Sequence, residues 1–111
     1  YIDFCAGYAT CSLGYGDEGW VEAVKQQLDK IQHTSNLYYH APGADLAEKL
    51  VKRTGLKKVY FGNTGGEANE AAIKIARKYG NTIAENKRNT IITLDNSFHG
   101  RTMAIHTRCL F

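Results

Sequence analysis

Three stretches of the chain carry apolar residues at the three-and-four spacing of a helix. In the first, Trp20, Val24, Leu28 and Ile31 fall on one face behind Asp17, whose short acidic side chain suits an N-cap. The second has Pro42 in its first turn and Gly55 just past its end, with Leu46, Ala47, Leu50, Val51 and Thr54 as its buried stripe. The third is the most regular. Ala68, Ala71, Ala72, Ile75, Ala76 and Tyr79 form one stripe, and Gly80 is its expected stop. Its small alanines allow the helix axis to lie close against a sheet.

Two short apolar runs flank the third helix, Lys58-Val59-Tyr60-Phe61 before it and Thr90-Ile91-Ile92-Thr93-Leu94 after it. Neither alternates cleanly, which suits strands covered on both faces. Strand, helix and strand, with a loop of about ten residues before the second strand, predict a right-handed parallel βαβ unit. Tyr1-Ile2-Asp3-Phe4 is a candidate for a further strand outside that sheet. The expected class is α/β, as a parallel βαβ unit plus N-terminal helices. No repeat, low-complexity stretch or linker divides the chain, so residues 1–111 are expected to form a single domain unit with no internal boundary.

Composition narrows the function classes. Hydrophobic residues make up 43% and charged residues 23% of the 111, with a single proline, which excludes a disordered tail or a proline-rich linker. Apolar runs fall far short of the ~20 residues that cross a bilayer, and no signal-peptide pattern is present, so no membrane partner is expected. A net charge of +3 is too mild to imply nucleic acid. The cluster Lys49, Lys52, Arg53, Lys57 and Lys58 lacks interleaved aromatics and reads as a solvated helix face and turn. Cys5, Cys11 and Cys109 are odd in number with no CxxC spacing, and His33, His40, His99 and His106 never fall three or four apart. Neither a disulfide framework nor a metal site is expected, and a reducing cytoplasm fits best.

The turn before the third helix carries the first chemical signal. In Gly62-Asn63-Thr64-Gly65-Gly66-Glu67, Thr64 and Glu67 have the spacing of a capping box. That spacing sets Gly65 and Gly66 at the first two helical positions, where their N–H groups have no intrahelical acceptor and no side chain shields them. The helix dipole adds partial positive charge, so a phosphate fits. A plain strand-to-helix turn explains the same glycines equally well. The two common nucleotide patterns fail: Gly66 is followed by Glu67 rather than by Lys-Ser/Thr, and the glycines at 62, 65 and 66 do not make G-x-G-x-x-G.

Asp95-Asn96-Ser97-Phe98-His99-Gly100-Arg101-Thr102 leaves the expected C-terminal end of the second strand, where open α/β sheets bind ligands. If the strands are parallel, this loop shares a sheet edge with the glycine turn. Phe98 can then lay its ring on a flat cofactor whose phosphate sits at Gly65 and Gly66, and Arg101 offers a planar fork to a substrate carboxylate. The plain alternatives are a core phenylalanine and a surface arginine. Ser97 and His99 point to opposite faces of an extended loop and do not make a nucleophile–base pair.

Together the two loops resemble a known family. Phe61-Gly62-Asn63-Thr64-Gly65-Gly66-Glu67-Ala68-Asn69-Glu70-Ala71-Ala72-Ile73-Lys74 resembles the phosphate-cup segment of class III pyridoxal-phosphate aminotransferases, and Asn96-Ser97-Phe98-His99-Gly100-Arg101-Thr102 resembles their Phe-His-Gly-Arg loop. His33-Thr34-Ser35-Asn36-Leu37-Tyr38-Tyr39 is similar to the acetylornithine branch, whose activity belongs to arginine biosynthesis. The similarity runs from residue 1 to about residue 104. It implies part of the large domain of a fold type I transferase and pyridoxal 5'-phosphate as cofactor. By the same resemblance Gly65, Gly66 and Thr64 hold the cofactor phosphate, Phe98 stacks on the pyridine ring, and Arg101 clamps the substrate α-carboxylate. Tyr8 falls where ornithine-type relatives place a substrate-contacting tyrosine. The implied reaction transfers an amino group from acetylornithine or a similar ω-amine to 2-oxoglutarate in a homodimer. Ornithine, 4-aminobutyrate and succinyldiaminopimelate transaminases are the alternatives within the family.

Departures from the family pattern are informative. Gly66 replaces a more usual alanine or valine, and Leu13-Gly14-Tyr15-Gly16-Asp17-Glu18 replaces a Leu-Gly-His-x-His-Pro pattern. The last residues, His106-Thr107-Arg108-Cys109-Leu110-Phe111, leave the resemblance, and the chain starts at Tyr1 with Met103 as its sole methionine. An early slice of a longer enzyme, with an interrupted reading frame, is the expectation. The family's Schiff-base lysine and the acid beneath the pyridine nitrogen lie downstream of the Phe-His-Gly-Arg loop, and neither Lys74 nor Lys78 matches that lysine, so no catalytic residue is expected here. The resemblance therefore also admits a non-catalytic remnant that binds a phosphate-bearing ligand at most. A short piece of such a sheet would leave strand edges and apolar faces bare, so poor stability or aggregation of the isolated chain is expected.

Overall fold

In the computed structural model the described residues are 1–83 and 88–106. Cys109 and most of the divergent tail, 107–111, lie outside them, as do residues 84–87 of the loop after the third predicted helix. The chain divides into two compact units, Tyr1–Lys49 and Leu50–Phe111. Five helical elements follow in chain order: α1 Ala6–Ala9, α2 Glu18–Leu28, α3 Ala41–Thr54, α4 Gly65–Ile83 and α5 Met103–His106. Among the described residues no helix is long and apolar enough to cross a membrane.

The three long helices begin where local cap chemistry directs. The Asp17 side chain accepts from Trp20 N at 2.8 Å and starts α2, with Glu18 in the first turn and Lys25 in the last, each favoured by the helix dipole. Ile31 falls beyond the end of α2, so the apolar face within that helix is Trp20, Val24 and Leu28. At the head of α3, His40 Nδ1 accepts from Gly43 N at 3.1 Å, and the imidazole lies so close over Gly43 that a Cβ there would collide with it. Gly55, at φ +72°, ends α3 by donating to Val51 O at 3.0 Å, the left-handed termination that glycine allows.

α4 departs from expectation at its far end. It runs on through Gly80 to Ile83, so Gly80 is not a helix stop. Gly80 is buried, and a Cβ on it would strike the Arg88 carbonyl. Glycine stands there because another stretch of backbone passes against the helix, not because the helix ends.

The expected βαβ unit is not seen, and the α/β reading is corrected accordingly. Among the described residues no strand forms: 58–61 and 90–94 are irregular segments on either side of α4, and 1–4 is likewise not a strand. A strand exists only through repeated hydrogen bonds to a neighbour, and two short parallel segments alone are too weakly paired to hold a sheet. Burial in 91–94 still alternates. Ile91 and Thr93 are half-buried, while Ile92 and Leu94 are 93% and 80% exposed. Ile91, Ile92 and Thr93 border a small cavity with Ala72 and Ile73 of α4, so the segment is covered by the helix on one side and bare on the other.

Apolar burial is sparse. Ile105 of α5 is the one fully buried apolar side chain among the described residues. The α2 and α4 stripes remain open, with Trp20 59% and Ile75 61% exposed.

Candidate functional site

The N-terminus of α4 is built by the residues around it. Thr64 is the N-cap: its Oγ1 accepts from Glu67 N at 3.1 Å, and its carbonyl accepts the first helical bond from Ala68 N at 3.0 Å. The return bond of the capping box is displaced by one residue, with Glu67 Oε2 accepting from Asn63 N at 2.7 Å rather than from Thr64 N. Both bonds lock the turn so that Gly65 and Gly66 occupy the first two helical positions. Their N–H groups have no intrahelical acceptor. A Cβ on Gly65 would meet nothing within 4 Å, so the space beside that amide is open. Thr64 Oγ1 uses a lone pair on Glu67 N and keeps its own hydrogen for a further acceptor.

The loop from Phe98 to Thr102 lies beside this helix end. A cleft of about 640 Å³ is lined by Thr64, Gly65, Gly66 and Asn69 from the helix side, and by residues 98–102 from the loop side. Three features bring the loop there. Gly100 is buried at φ +122°, a conformation open to glycine, and a Cβ on it would lie 3.1 Å from Gly66 Cα and collide with Ile105. Asn69 Nδ2 donates to His99 O at 2.6 Å. The Thr102 hydroxyl donates to Glu70 Oε1.

Within the loop, the Arg101 guanidinium carbon sits 5.5 Å from the centroid of the Phe98 ring, at cation–π distance. Phe98 is 65% exposed, so most of the ring surface is open to a partner. Five of the residues singled out from sequence, Thr64, Gly65, Gly66, Phe98 and Arg101, thus line one cleft.

Tyr8, the sixth, belongs to the first unit and is exposed. It lies in a left-handed turn: Ala6, Gly7, Tyr8 and Ala9 have φ of 46°, 61°, 58° and 62°. Each non-glycine residue there carries a cost of roughly 1–2 kcal/mol. The turn is held by local bonds. Asp3 Oδ1 accepts from Cys5 N at 2.8 Å and Ala6 N at 3.0 Å, Ala9 N donates to Cys5 O at 3.0 Å, and the Thr10 hydroxyl donates to Gly7 O. These amides, with the Tyr15 hydroxyl at 3.2 Å from Asp3 Oδ2, hold the Asp3 carboxyl below the usual carboxylate range.

Sequence reasoning passed over Asn69 and Glu70. They fall outside the apolar stripe of α4, and only the contact with a loop about thirty residues away reveals their partners. His40 as the cap of α3 was also missed, because histidine is not among the preferred N-cap residues.

Comparisons with known proteins bear on the chain as a whole. Residues 1–109 match the family model described as Aminotransferase class-III. The chain is 55% identical over 104 residues to the acetylornithine aminotransferase of Haemophilus ducreyi, covering 94% of this chain and 26% of that protein. It is 57% identical over 105 residues to the acetylornithine aminotransferase of Wolinella succinogenes, covering 93% and 27%. Against the acetylornithine aminotransferase of Methanocaldococcus jannaschii the identity is 46% over 103 residues, covering 93% and 26%. The chain spans about a quarter of the length of these curated relatives.

Proposed function

The chain belongs to the class-III aminotransferase family, and on that premise we propose that it is part of the cofactor-binding large domain of a pyridoxal-phosphate transaminase. The parent protein then moves the amino group of acetylornithine, or a similar ω-amine, to 2-oxoglutarate. The names of the relatives support this choice of donor. Tyr8 favours the ornithine side of the family by resemblance, so ornithine is the second donor to test. The same reading makes the parent a cytoplasmic homodimer that engages small molecules rather than nucleic acid or membrane.

One observation carries the cofactor reading: two glycine amides, a hydroxyl, an aromatic ring and a guanidinium line a single cleft at a helix N-terminus. The open space beside Gly65 and the spare hydrogen of Thr64 suit a phosphate, so the residues fit the group. When bound, pyridoxal phosphate supplies the electron sink that transamination needs. The residues of this chain bind and orient. The Gly65 and Gly66 amides and the Thr64 hydroxyl take phosphate oxygens, aided by the dipole of the 19-residue α4. Phe98 offers its open ring surface to the pyridine. Arg101, restrained over Phe98, directs its planar fork to a substrate carboxylate. No lysine lines the cleft among the described residues.

Calorimetric titration with pyridoxine 5'-phosphate, pyridoxine and inorganic phosphate tests the site, because the missing aldehyde prevents reaction with surface lysines. Expected is phosphate-competable binding of pyridoxine 5'-phosphate, tighter than either component and weakened about two- to tenfold in Phe98→Ala. Equal affinity for pyridoxine 5'-phosphate and pyridoxine would refute the phosphate role. The donor is tested on the full-length parent with acetylornithine, ornithine, 4-aminobutyrate and succinyldiaminopimelate as alternatives, 2-oxoglutarate being the acceptor. Acetylornithine is expected to give the highest kcat/KM.

A further inference from the structure

We propose that Asn69 and Glu70, adjacent on the second turn of α4, are positioning residues that seat the Phe98–Thr102 loop, and with it the aromatic ring and the guanidinium, against the first-turn amides of the same helix. This rests on the cofactor reading above. It adds two residues to that reading and a physical reason why one helix end serves both the phosphate and the ring.

The two bonds bracket the loop. Asn69 Nδ2 reaches the carbonyl of His99 at 2.6 Å in a part-buried setting, one residue after Phe98. Glu70 Oε1 takes the hydroxyl of Thr102, one residue after Arg101. Between them Gly100 passes over Gly66 with no side chain to hold it off. The segment from 98 to 102 is therefore tied at two points to the helix whose N-terminus forms the phosphate cup. The element after the loop, α5, is a four-residue turn, and Phe98 and Arg101 are both exposed, so the ring and the guanidinium depend on how the loop backbone is seated.

The chemistry of each residue is specific. Position 69 must donate, because its partner is a carbonyl oxygen. A carboxylate there would set two acceptors face to face with no hydrogen between them. Position 70 must accept from a hydroxyl, which an amide oxygen also does. Neither side chain needs to touch the cofactor for this role. A ligand that is only a phosphate uses the cup and is indifferent to the loop. A ligand that joins a ring to the phosphate needs the loop in register, since Phe98 must meet the ring while the amides hold the phosphate.

The test is therefore a ratio of affinities on the full chain, with inorganic phosphate and pyridoxine 5'-phosphate as probes. Asn69→Ala, Glu70→Ala and Thr102→Val are each expected to weaken pyridoxine 5'-phosphate about three- to tenfold while leaving inorganic phosphate within twofold. Glu70→Gln and Thr102→Ser, which keep the acceptor and the donor, are expected to restore the wild-type ratio. A merely structural role would weaken both probes together and would not be rescued by Gln or Ser. Thr102→Val keeps the shape of an exposed side chain, so it reports even if Asn69→Ala fails to fold. An unchanged ratio in all three, or an equal loss for both probes, overturns the proposal. If the wild-type chain binds pyridoxine 5'-phosphate no better than phosphate, or Phe98→Ala leaves that preference intact, the cofactor reading itself fails and the positioning role falls with it.

Discussion

Replacing Gly65 by proline separates the two roles of the α4 N-terminus. Gly65 is the first helical residue, where proline is well tolerated: its fixed φ is already helical, and the N–H it lacks has no intrahelical acceptor. Thr64, the residue before it, is a capping position whose usual extended conformation is the one that precedes proline. A Cβ at 65 would meet nothing within 4 Å, and the Thr64 bonds to Glu67 N and Ala68 N do not involve the residue 65 amide. Stability should rise by about 0.4–1 kcal/mol through a restricted unfolded chain. In a domain of this size that is about 2–6 °C in Tm. Anion binding should fall, because a hydrogen bond to a charged acceptor contributes about 1.5–3 kcal/mol, or roughly ten- to a hundredfold in Kd. Gly66→Ala is the control. It keeps its amide, and its Cβ would stand 3.7 Å from Thr64 Oγ1 and 3.8 Å from Ile105 Cδ1, ordinary contacts that should leave affinity within threefold. Thermal melting and phosphate titration of both variants give the two readouts. A folded Gly65→Pro chain that binds phosphate as tightly as wild type would refute the assignment of that amide as a donor.

Gly100→Ala should destabilise the second unit by about 1–3 kcal/mol, since φ +122° and contact with Gly66 Cα leave no place for a methyl group; its Tm and its loss of ring-dependent ligand preference can be measured together. Asp17→Ala should cost α2 about 1 kcal/mol through loss of the bond to Trp20 N, read by circular dichroism, and Asp17→Asn should recover most of it. The Asp3 turn should be sensitive to acid. Its carboxyl titrates below the usual range when folded, so its contribution is present above the unfolded value and is lost as pH falls through the folded value. A carboxyl-carbon NMR titration should find a midpoint below that of an unstructured aspartate, and a midpoint at or above it would refute the bonds to Cys5 and Ala6 as its cause.

What was legible in the sequence follows the range of the forces involved. The starts of α2 and α4 were readable because a cap acts over three residues, and Asp17 and Thr64 each stand three before the amide they bind. The stop expected at Gly80 failed because a glycine ends a helix or admits a neighbour by the same lack of a Cβ. Only the passing Arg88 carbonyl distinguishes the two. The left-handed turn at residues 6–9 gave no signal, since three of its four residues pay a steric cost that bonds from Asp3 and Thr10 offset.

The strands were misread because a strand is a relation between segments, and no local pattern supplies the neighbour. The cleft nevertheless contains the residues that the parallel-strand argument would bring together, and it does so without a sheet. That argument relied on two strand ends sharing an edge. In the structure the work is divided among a glycine whose bare backbone passes over Gly66 and two side-chain bonds that span thirty and thirty-two residues. If those contacts hold the juxtaposition by themselves, then loop placement and sheet formation are separable properties of this sequence. Substitutions at Glu70 and Gly100 should then disturb the cleft without altering segments 58–61 and 90–94, whereas Ile91→Ala, at the segment's inward face, should loosen 90–94 against α4 first and reach the cleft through Asn69, His99 and Ile105, which border the same cavity.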